Sequence, residues 1–502
     1  MPVDPTPPLT KTDAELRFDE VRRKVGLVAG PLLFLLVLAW PFTSLTPEGH
    51  RLAAIMALVI VFWITEALPL AVTALLGPTL VVLLQVAPAG LTFRQFASPT
   101  IFLFIGSFIL AQALFVHRVN ERIAYGVLSL RIIGAHPTRI LIAYGLLAAS
   151  LSAWMSNTAT AAMLVPIGLT LLRFMESEAT IPKRYGTALM LMTTYCCSRG
   201  GMATPVGTPP NLIAIGMLSE QLDVRITFFQ WMLFSTPIVL VLLAIVFVYL
   251  SWVGRTGVRE IPGVEQIIAE RKRALGPWRR GEINAVIAFS VTIVLWIGPG
   301  LLALVLGTDH PLVASVTASV PSAVAALVGV VLLFLLPNSK TERTTITWRQ
   351  AAQIDWGTIL LFGGGLALGA LAGATGLAQE VAVGITGLVD VSEIVTLTFA
   401  AAIFTVILSE AMSNTAATNI AIPIVISMAQ AVGINPVIPA VAAALAASVA
   451  AVLPVSTPPN AIVYASGRVT ITEMMKYGLL MDVTAITLVP ALVLLIAPYF
   501  IG

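Results

Sequence analysis

Charge is what this chain has least of. Of its 502 residues, 11% are Asp, Glu, Lys or Arg, against about 25% in an ordinary soluble domain. The net charge of +3 is too small to argue for a nucleic-acid partner. Cysteine is nearly absent: Cys196 and Cys197 are neighbours inside an apolar segment. That excludes a disulfide framework and predicts buried, inert thiols. The four histidines, His50, His117, His136 and His310, fall in loops or at segment ends without metal-ligand spacing. There is no Walker motif, which argues against ATP-driven pumping by this chain. No His/Asp pair lies at the depth of the serine-containing motifs, so a membrane enzyme is the remote alternative. The N-terminus carries no secretory signal pattern.

What is abundant is apolar surface: 58% of residues are hydrophobic and the mean hydropathy is +0.95. The expected fold is an all-α polytopic membrane protein in contact with lipid. Apolar segments near 27–45, 52–68, 70–88, 99–117, 187–218, 228–252, 284–306, 313–336, 358–375, 437–466 and 477–500 predict eleven transmembrane helices. Segments 138–175 and 394–430 are too long for one span, and each holds a polar triplet near its middle. They predict two re-entrant hairpins, with the triplet at a protein-buried tip where irregular backbone is tolerated.

The basic residues support that count. With the N-terminus cytoplasmic, outside loops keep Arg51, Arg94 and Arg225, and Arg199 lies within the membrane. All other lysines and arginines, Lys11 and Lys340 included, fall inside, as the positive-inside rule asks. The uncharged C-terminus then falls outside, and the expected location is the cell inner membrane.

Internal similarity organises the rest. Met155-Ser156-Asn157-Thr158-Ala159 returns as Met412-Ser413-Asn414-Thr415-Ala416, and each runs on, at the same spacing, to Pro-Ile. Thr204-Pro-Val-Gly207-Thr208-Pro-Pro-Asn211 is answered by Leu453-Pro-Val455-Ser456-Thr457-Pro458-Pro-Asn460. Leu103-Phe-Ile-Gly106 is answered by Leu361-Phe-Gly-Gly364. Five crossings separate equivalent points, and an odd number makes the repeat inverted. The expected division is a cytoplasmic tail over 1–26, a first span over 27–51 outside the repeat, and repeat 1 over 52–253. A cytoplasmic linker over 254–283 and repeat 2 over 284–502 follow.

Each Thr-Pro-Pro-Asn stretch must break its helix, because Pro lacks a donor and clashes with the preceding turn. A break frees carbonyls, which can hold Na⁺, and exposes a helix N-terminus, which favours an anion. Asn157 and Asn414 each supply donors and an acceptor, so one residue can face a carboxylate and a cation together. Glu66 and Glu410 are the notable acids in apolar surroundings. Each fits a cation or proton site, and each equally fits a cap on a helix or hairpin end.

The doubled Ser-Asn-Thr, the Pro-Pro-Asn breaks and Trp63-Ile-Thr-Glu66-Ala-Leu-Pro-Leu resemble the divalent anion/sodium symporter family of dicarboxylate and citrate transporters. The resemblance runs from about Val25 onward. It implies a homodimer in which a mobile transport domain moves past a scaffold domain like an elevator. It maps a first sodium site to Ser152, Ser156, Asn157 and Gly207, and a second to Ser409, Asn414 and Ser456. It places the substrate carboxylates between Asn157, Thr158 and Thr208 on one side and Asn414, Thr415, Thr457 and Pro458 on the other. Arg199, in Ser198-Arg-Gly-Gly201, departs from the family pattern of an apolar residue there. Snorkelling to the cytoplasmic surface, pairing with an acid such as Glu410, and contact with the substrate are all open to it. The implied activity is sodium-coupled import of a small divalent anion such as succinate, malate or fumarate, with no catalytic residue and no cofactor beyond the coupling ions. The alternatives are a sodium-independent dicarboxylate exchanger, a sulfate or citrate transporter, and an anion channel.

Overall fold

The computed structural model describes residues 13–42, 44–339, 341–386, 393–454 and 456–501. Residues 1–12 of the N-terminal tail, with Lys11 among them, and Lys340 and Val455, all used in reading the sequence, lie outside these. Among the described residues every regular element is helical.

Among the described residues eight helices are long and apolar enough to cross a membrane, and a ninth arises from Pro311–Ser319 and Ser322–Leu335, bent by 58°. The bend sits at Pro321, which cannot donate to the preceding turn. Two of the eight, Asn157–Glu178 and Ile394–Ala411, are arms of hairpins. Eleven crossings therefore require four elements that length and hydropathy alone do not select. These are the charged Asp13–Ala39, the short Leu70–Leu83 and the two interrupted helices.

The first hairpin comprises Pro137–Ser152 and Asn157–Glu178. The second comprises Ile394–Ala411 and Asn414–Ala431. The interrupted helices are Lys183–Gly201 followed by Pro209–Leu222, and Val437–Ala447 followed by Pro458–Ala465. Both resume with Pro-Pro in the first turn, where the missing N–H costs nothing. One expected junction falls inside a helix. The helix Asp13–Ala39 runs through the expected tail–span junction at 26/27, because no turn signal interrupts it there. The expected linker also holds a helix of its own, Val264–Ala274.

Hairpins and interrupted helices pack on one another and on Phe228–Val253 and Ile471–Ile496. A second group comprises Pro47–Thr65, Leu70–Leu83, Pro99–Val116, Arg280–Leu306, Ser322–Leu335 and Trp356–Ala374. Contacts between the groups are mainly apolar, with Phe228 stacked on Trp296 at 4.4 Å and Trp154 edge-on to Phe289 at 5.9 Å. Polar links are sparse: the Ser98 hydroxyl donates to Glu220 at 3.2 Å, and the Asn419 amide to the Leu361 carbonyl at 3.5 Å.

Candidate functional site

At each hairpin tip the serine of the triplet is the N-cap of the returning helix. Ser156 Oγ accepts from the N–H of Ala159 and Ser413 Oγ from that of Ala416, both at 3.2 Å. This satisfies one of the orphan donors that a helix start exposes. The asparagine that follows is held from behind. Ser152 donates to Asn157 Oδ1, and Ser409 donates to Asn414 Oδ1 at 2.6 Å.

The breaks are held by residues quoted in the sequence motif but given no role there. The Asn211 amide donates to the carbonyls of Gly201 at 3.0 Å and Thr204 at 2.7 Å. The Asn460 amide donates to those of Ala450 at 3.4 Å and Leu453 at 3.0 Å. These pairs match under the repeat, so the internal correspondence reaches individual hydrogen bonds. The conformations match as well: Thr208 has φ −145° and ψ 142°, Thr457 φ −143° and ψ 146°. A repeated Asn at the same place in both motifs was the signal available in the sequence. Thr194 of the first interrupted helix donates to Asn460 Oδ1 of the second, tying the breaks together.

One cavity of about 790 Å³ gathers Asn157, Thr158, Thr208, Asn414, Thr415, Thr457 and Pro458. The structure thus brings together all seven residues expected to face substrate. Asn157, Pro209, Asn414 and Pro458, first residues of four helices, all line it. Four helix N-termini carry partial positive charge into this space. Among the described residues that line it none is basic, and the one charged residue is Asp355. Asp355 is occupied as an N-cap, accepting from the Thr358 N–H at 3.0 Å and its hydroxyl at 2.6 Å. Gln112, Gln353 and Thr358 complete a polar wall that the sequence motifs did not reveal.

Behind the asparagines lie oxygens. In the second half, the single hydroxyl proton of Ser409 is shared between Asn414 Oδ1 and the Ala447 carbonyl, 2.6 and 2.8 Å away. In the first half, a methyl group on Gly201 would meet Asn157 Oδ1 at 2.5 Å and the Gly207 carbonyl at 3.1 Å. One on Gly207 would stand 2.9 Å from the Ser152 carbonyl. Neutral oxygens at the C-terminal ends of helices are ligands a hard monovalent cation accepts. Ser152, Asn157 and Gly207 form one such cluster, and Ser409 and Asn414 another. Ser156 lies at the cavity side of the first. Ser456 stands where Gly207 does in the other copy, but its hydroxyl donates to Glu410 at 2.6 Å. Its hydroxyl oxygen keeps its lone pairs, so it can offer an ion that oxygen or its main-chain carbonyl.

The two acids have separate fates. Glu66 caps the end of Pro47–Thr65 in left-handed backbone and pairs with Arg22 at 2.8 Å, away from the cavity. Glu410 accepts from the N–H groups of Ala451, Val452 and Leu453 at 2.7, 3.0 and 3.2 Å, closing the second break. Arg199 neither snorkels nor reaches the cavity: it is 1% exposed and absent from the lining. Its guanidinium lies over the Tyr195 ring at 5.3 Å and donates to the Tyr195 carbonyl at 3.4 Å. Its Nη2 has no hydrogen-bond partner, so the pairing with an acid such as Glu410, one of the three placements the sequence left open, is not seen among the described residues.

Comparison with known proteins fits this geometry. The family model described as the sodium:sulfate symporter transmembrane region matches residues 22–500. The sodium-dependent dicarboxylate transporter SdcS of Staphylococcus saprophyticus is 32% identical over 492 residues, covering 96% of this chain and 93% of that protein. SdcS of Staphylococcus aureus strain USA300 is 33% identical over 490 residues, covering 95% and 92%. The fold is similar to that of the Alcanivorax borkumensis YdaH transporter, with a TM-score of 0.55 at 14% identity, covering 96% of this chain and 97% of that one. It is equally similar to Neisseria gonorrhoeae MtrF, with a TM-score of 0.55 at 15% identity, covering 92% and 97%. This chain is a multi-pass membrane protein and a transporter rather than an enzyme, and it belongs to the sodium:sulfate symporter family.

Proposed function

We propose that this chain imports a small C4-dicarboxylate such as succinate, malate or fumarate together with sodium. The observation that carries the reading is a cavity with four helix N-termini and no basic side chain. Helix ends contribute about 0.3–1 kcal/mol each to binding a charge, too little alone to hold a dianion against its hydration. Cations in the oxygen clusters behind Asn157 and Asn414 supply the missing charge. The near-symmetric pair of Asn-Thr sets suits a molecule with an anionic group at each end. The named relatives, sodium-dependent dicarboxylate transporters, support the same reading.

Transport proceeds by an elevator movement of the hairpins and interrupted helices, as parts of an inverted repeat, past the second helix group. The apolar contacts and sparse polar links between the groups support it, since such a surface slides without stripping many hydrogen bonds. The cavity reaches Pro69, Phe115 and Gln353, beside loops that the arginine bias assigns to the cytoplasm, so the state is inward-open. In this reading the chain has eleven crossings, a cytoplasmic N-terminus and an outside C-terminus in the inner membrane. It forms a homodimer, with the uncovered Val294, Leu301, Leu304 and Val305 available to lipid or a second copy.

In proteoliposomes, labelled succinate uptake is expected to rise at least about tenfold when an inward sodium gradient replaces choline. Uptake independent of sodium, with counterflow in its absence, would identify an exchanger. Uptake of sulfate with no competition from succinate would replace the substrate class. Cysteine pairs between Pro137–Ser152 and Arg280–Leu306 are expected to cross-link differently with and without sodium and succinate. An unchanged pattern, under conditions that alter protease accessibility of the hairpins, counts against the elevator movement.

A further inference from the structure

The helices that begin at the cavity differ in how they are capped. Those of the hairpins and interrupted helices start behind Ser156, Thr208, Ser413 and Thr457, all neutral. Two more start on the wall contributed by the second helix group. Leu70–Leu83 begins behind Pro69, and Trp356–Ala374 begins behind Asp355. Pro69, Leu70, Asp355, Gly357 and Thr358 all line the cavity. The acid cap thus stands on that wall, and the parts that carry the Asn-Thr sets have neutral caps throughout.

Capping alone does not call for an acid. Asn and Ser cap a helix about as well as Asp, and Ser156 and Ser413 do so in this chain. The charge of Asp355 is what requires a reason. Its side chain is exposed, accepts from the Thr358 N–H and hydroxyl, and forms no ion pair among the described residues. A helix N-terminus is equivalent to about half an elementary charge. The full negative charge of Asp355 therefore offsets the two N-termini of its own wall. The four behind neutral caps keep their positive field, so the cavity attracts an anion to one side only. An elevator needs that difference. Cargo held by the stationary wall as well would have to be torn from it before the moving parts could leave.

We propose that Asp355 is a positioning residue that keeps the dicarboxylate off the stationary wall, so that the dianion is held only by the parts that travel with it. The proposal rests on the dicarboxylate and elevator readings. Without the charge, the wall attracts the dianion and the inward-open complex becomes more stable than the state that moves. KM and the maximal rate then fall together, as they do when a ground state is stabilised and the barrier top is not. Across water at about 10 Å, one charge changes the binding of a dianion about fourfold. The effect belongs to the cytoplasmic face, because the cargo is away from Asp355 when the moving parts face outside. A role confined to capping would lower stability and maximal rate without lowering KM.

The test is sodium-driven transport of labelled succinate by the full-length protein in right-side-out and inverted membrane vesicles, with rates normalised to the amount of transporter. Asp355→Asn and Asp355→Ser both keep a capping oxygen and remove the charge. In inverted vesicles each is expected to lower KM for succinate about fourfold and to lower the maximal rate by a similar factor. In right-side-out vesicles KM should stay within about twofold of the unaltered protein. The difference in inverted vesicles should shrink as choline chloride is raised, since salt screens a charge acting across water. If Asp355→Asn does not fold, Asp355→Ser decides. Loss of folding in both would make the acid a structural cap and overturn the proposal. An unchanged or raised KM in inverted vesicles, or equal shifts from both faces, would overturn it too. If the unaltered protein moves no succinate with sodium, the dicarboxylate reading itself fails. If it does and the variants show no such split, only this inference fails.

Discussion

Replacing Asn157 with alanine is expected to lower succinate uptake by more than about a hundredfold, and replacing Asn414 should do the same. Each side chain has its oxygen turned back to a serine hydroxyl, Ser152 or Ser409, while the residue lines the cavity. On the proposed sodium–dicarboxylate reading, alanine removes a cation ligand and an anion contact at once. One hydrogen bond to a charged group contributes about 1.5–3 kcal/mol, and about 1.4 kcal/mol is a tenfold change. Losing two such interactions therefore reaches the stated magnitude. Both variants should purify with unchanged size-exclusion profiles, because the cap bonds of Ser156 and Ser413 to Ala159 and Ala416 survive. Near-normal uptake by either variant would mean that the site is not shared between the copies.

The second large effect is on folding. A methyl group on Gly200 would lie within 3.0 Å of three backbone atoms of Ala149. Backbone cannot rotate away as a side-chain tip can, so Pro137–Ser152 and Lys183–Gly201 would have to separate. Overpacking of this kind costs about 1–3 kcal/mol, and more where backbone is the obstacle. Gly200→Ala should therefore melt well below the unaltered protein and express poorly. Gly126→Ala, where the added methyl meets nothing within 4 Å, serves as the control. Equal melting temperatures for the two variants would show that the helices are not packed this closely.

The parts of the site that could be read from the sequence were those fixed by local chemistry. Pro209-Pro210 and Pro458-Pro459 could only begin a helix, so both breaks were visible. Ser156 and Ser413 preceding Asn-Thr marked two helix starts in the middle of apolar segments. Repetition brought the two halves together on paper, the family resemblance named seven residues, and those seven do share one cavity. Long-range pairing was not visible. Asp482 lies on an ordinary apolar helix, and nothing local tells that it shares a donor with Glu410. The Glu410 nest needs three consecutive N–H groups of a break far along the chain, which only the packed fold supplies. Gln353 and Asp355 come from the stretch that precedes Trp356–Ala374 and Gln112 from Pro99–Val116, where no motif gives a signal, because a cavity wall requires only that a side chain happen to face it.

The amides of Asn211 and Asn460 each bind carbonyls of their own interrupted helix, and Ser152 and Ser409 bind asparagines of their own hairpins. The bonds shaping the binding surface are thus internal to the parts that surround the cargo. Such a compartment carries its own frame. It can be exposed to either side of the membrane without being taken apart, much as a lift cabin keeps its walls between floors. If it moves as proposed, substrate preference is expected to be the same from both sides, while the rate of passage depends on the wall it slides against.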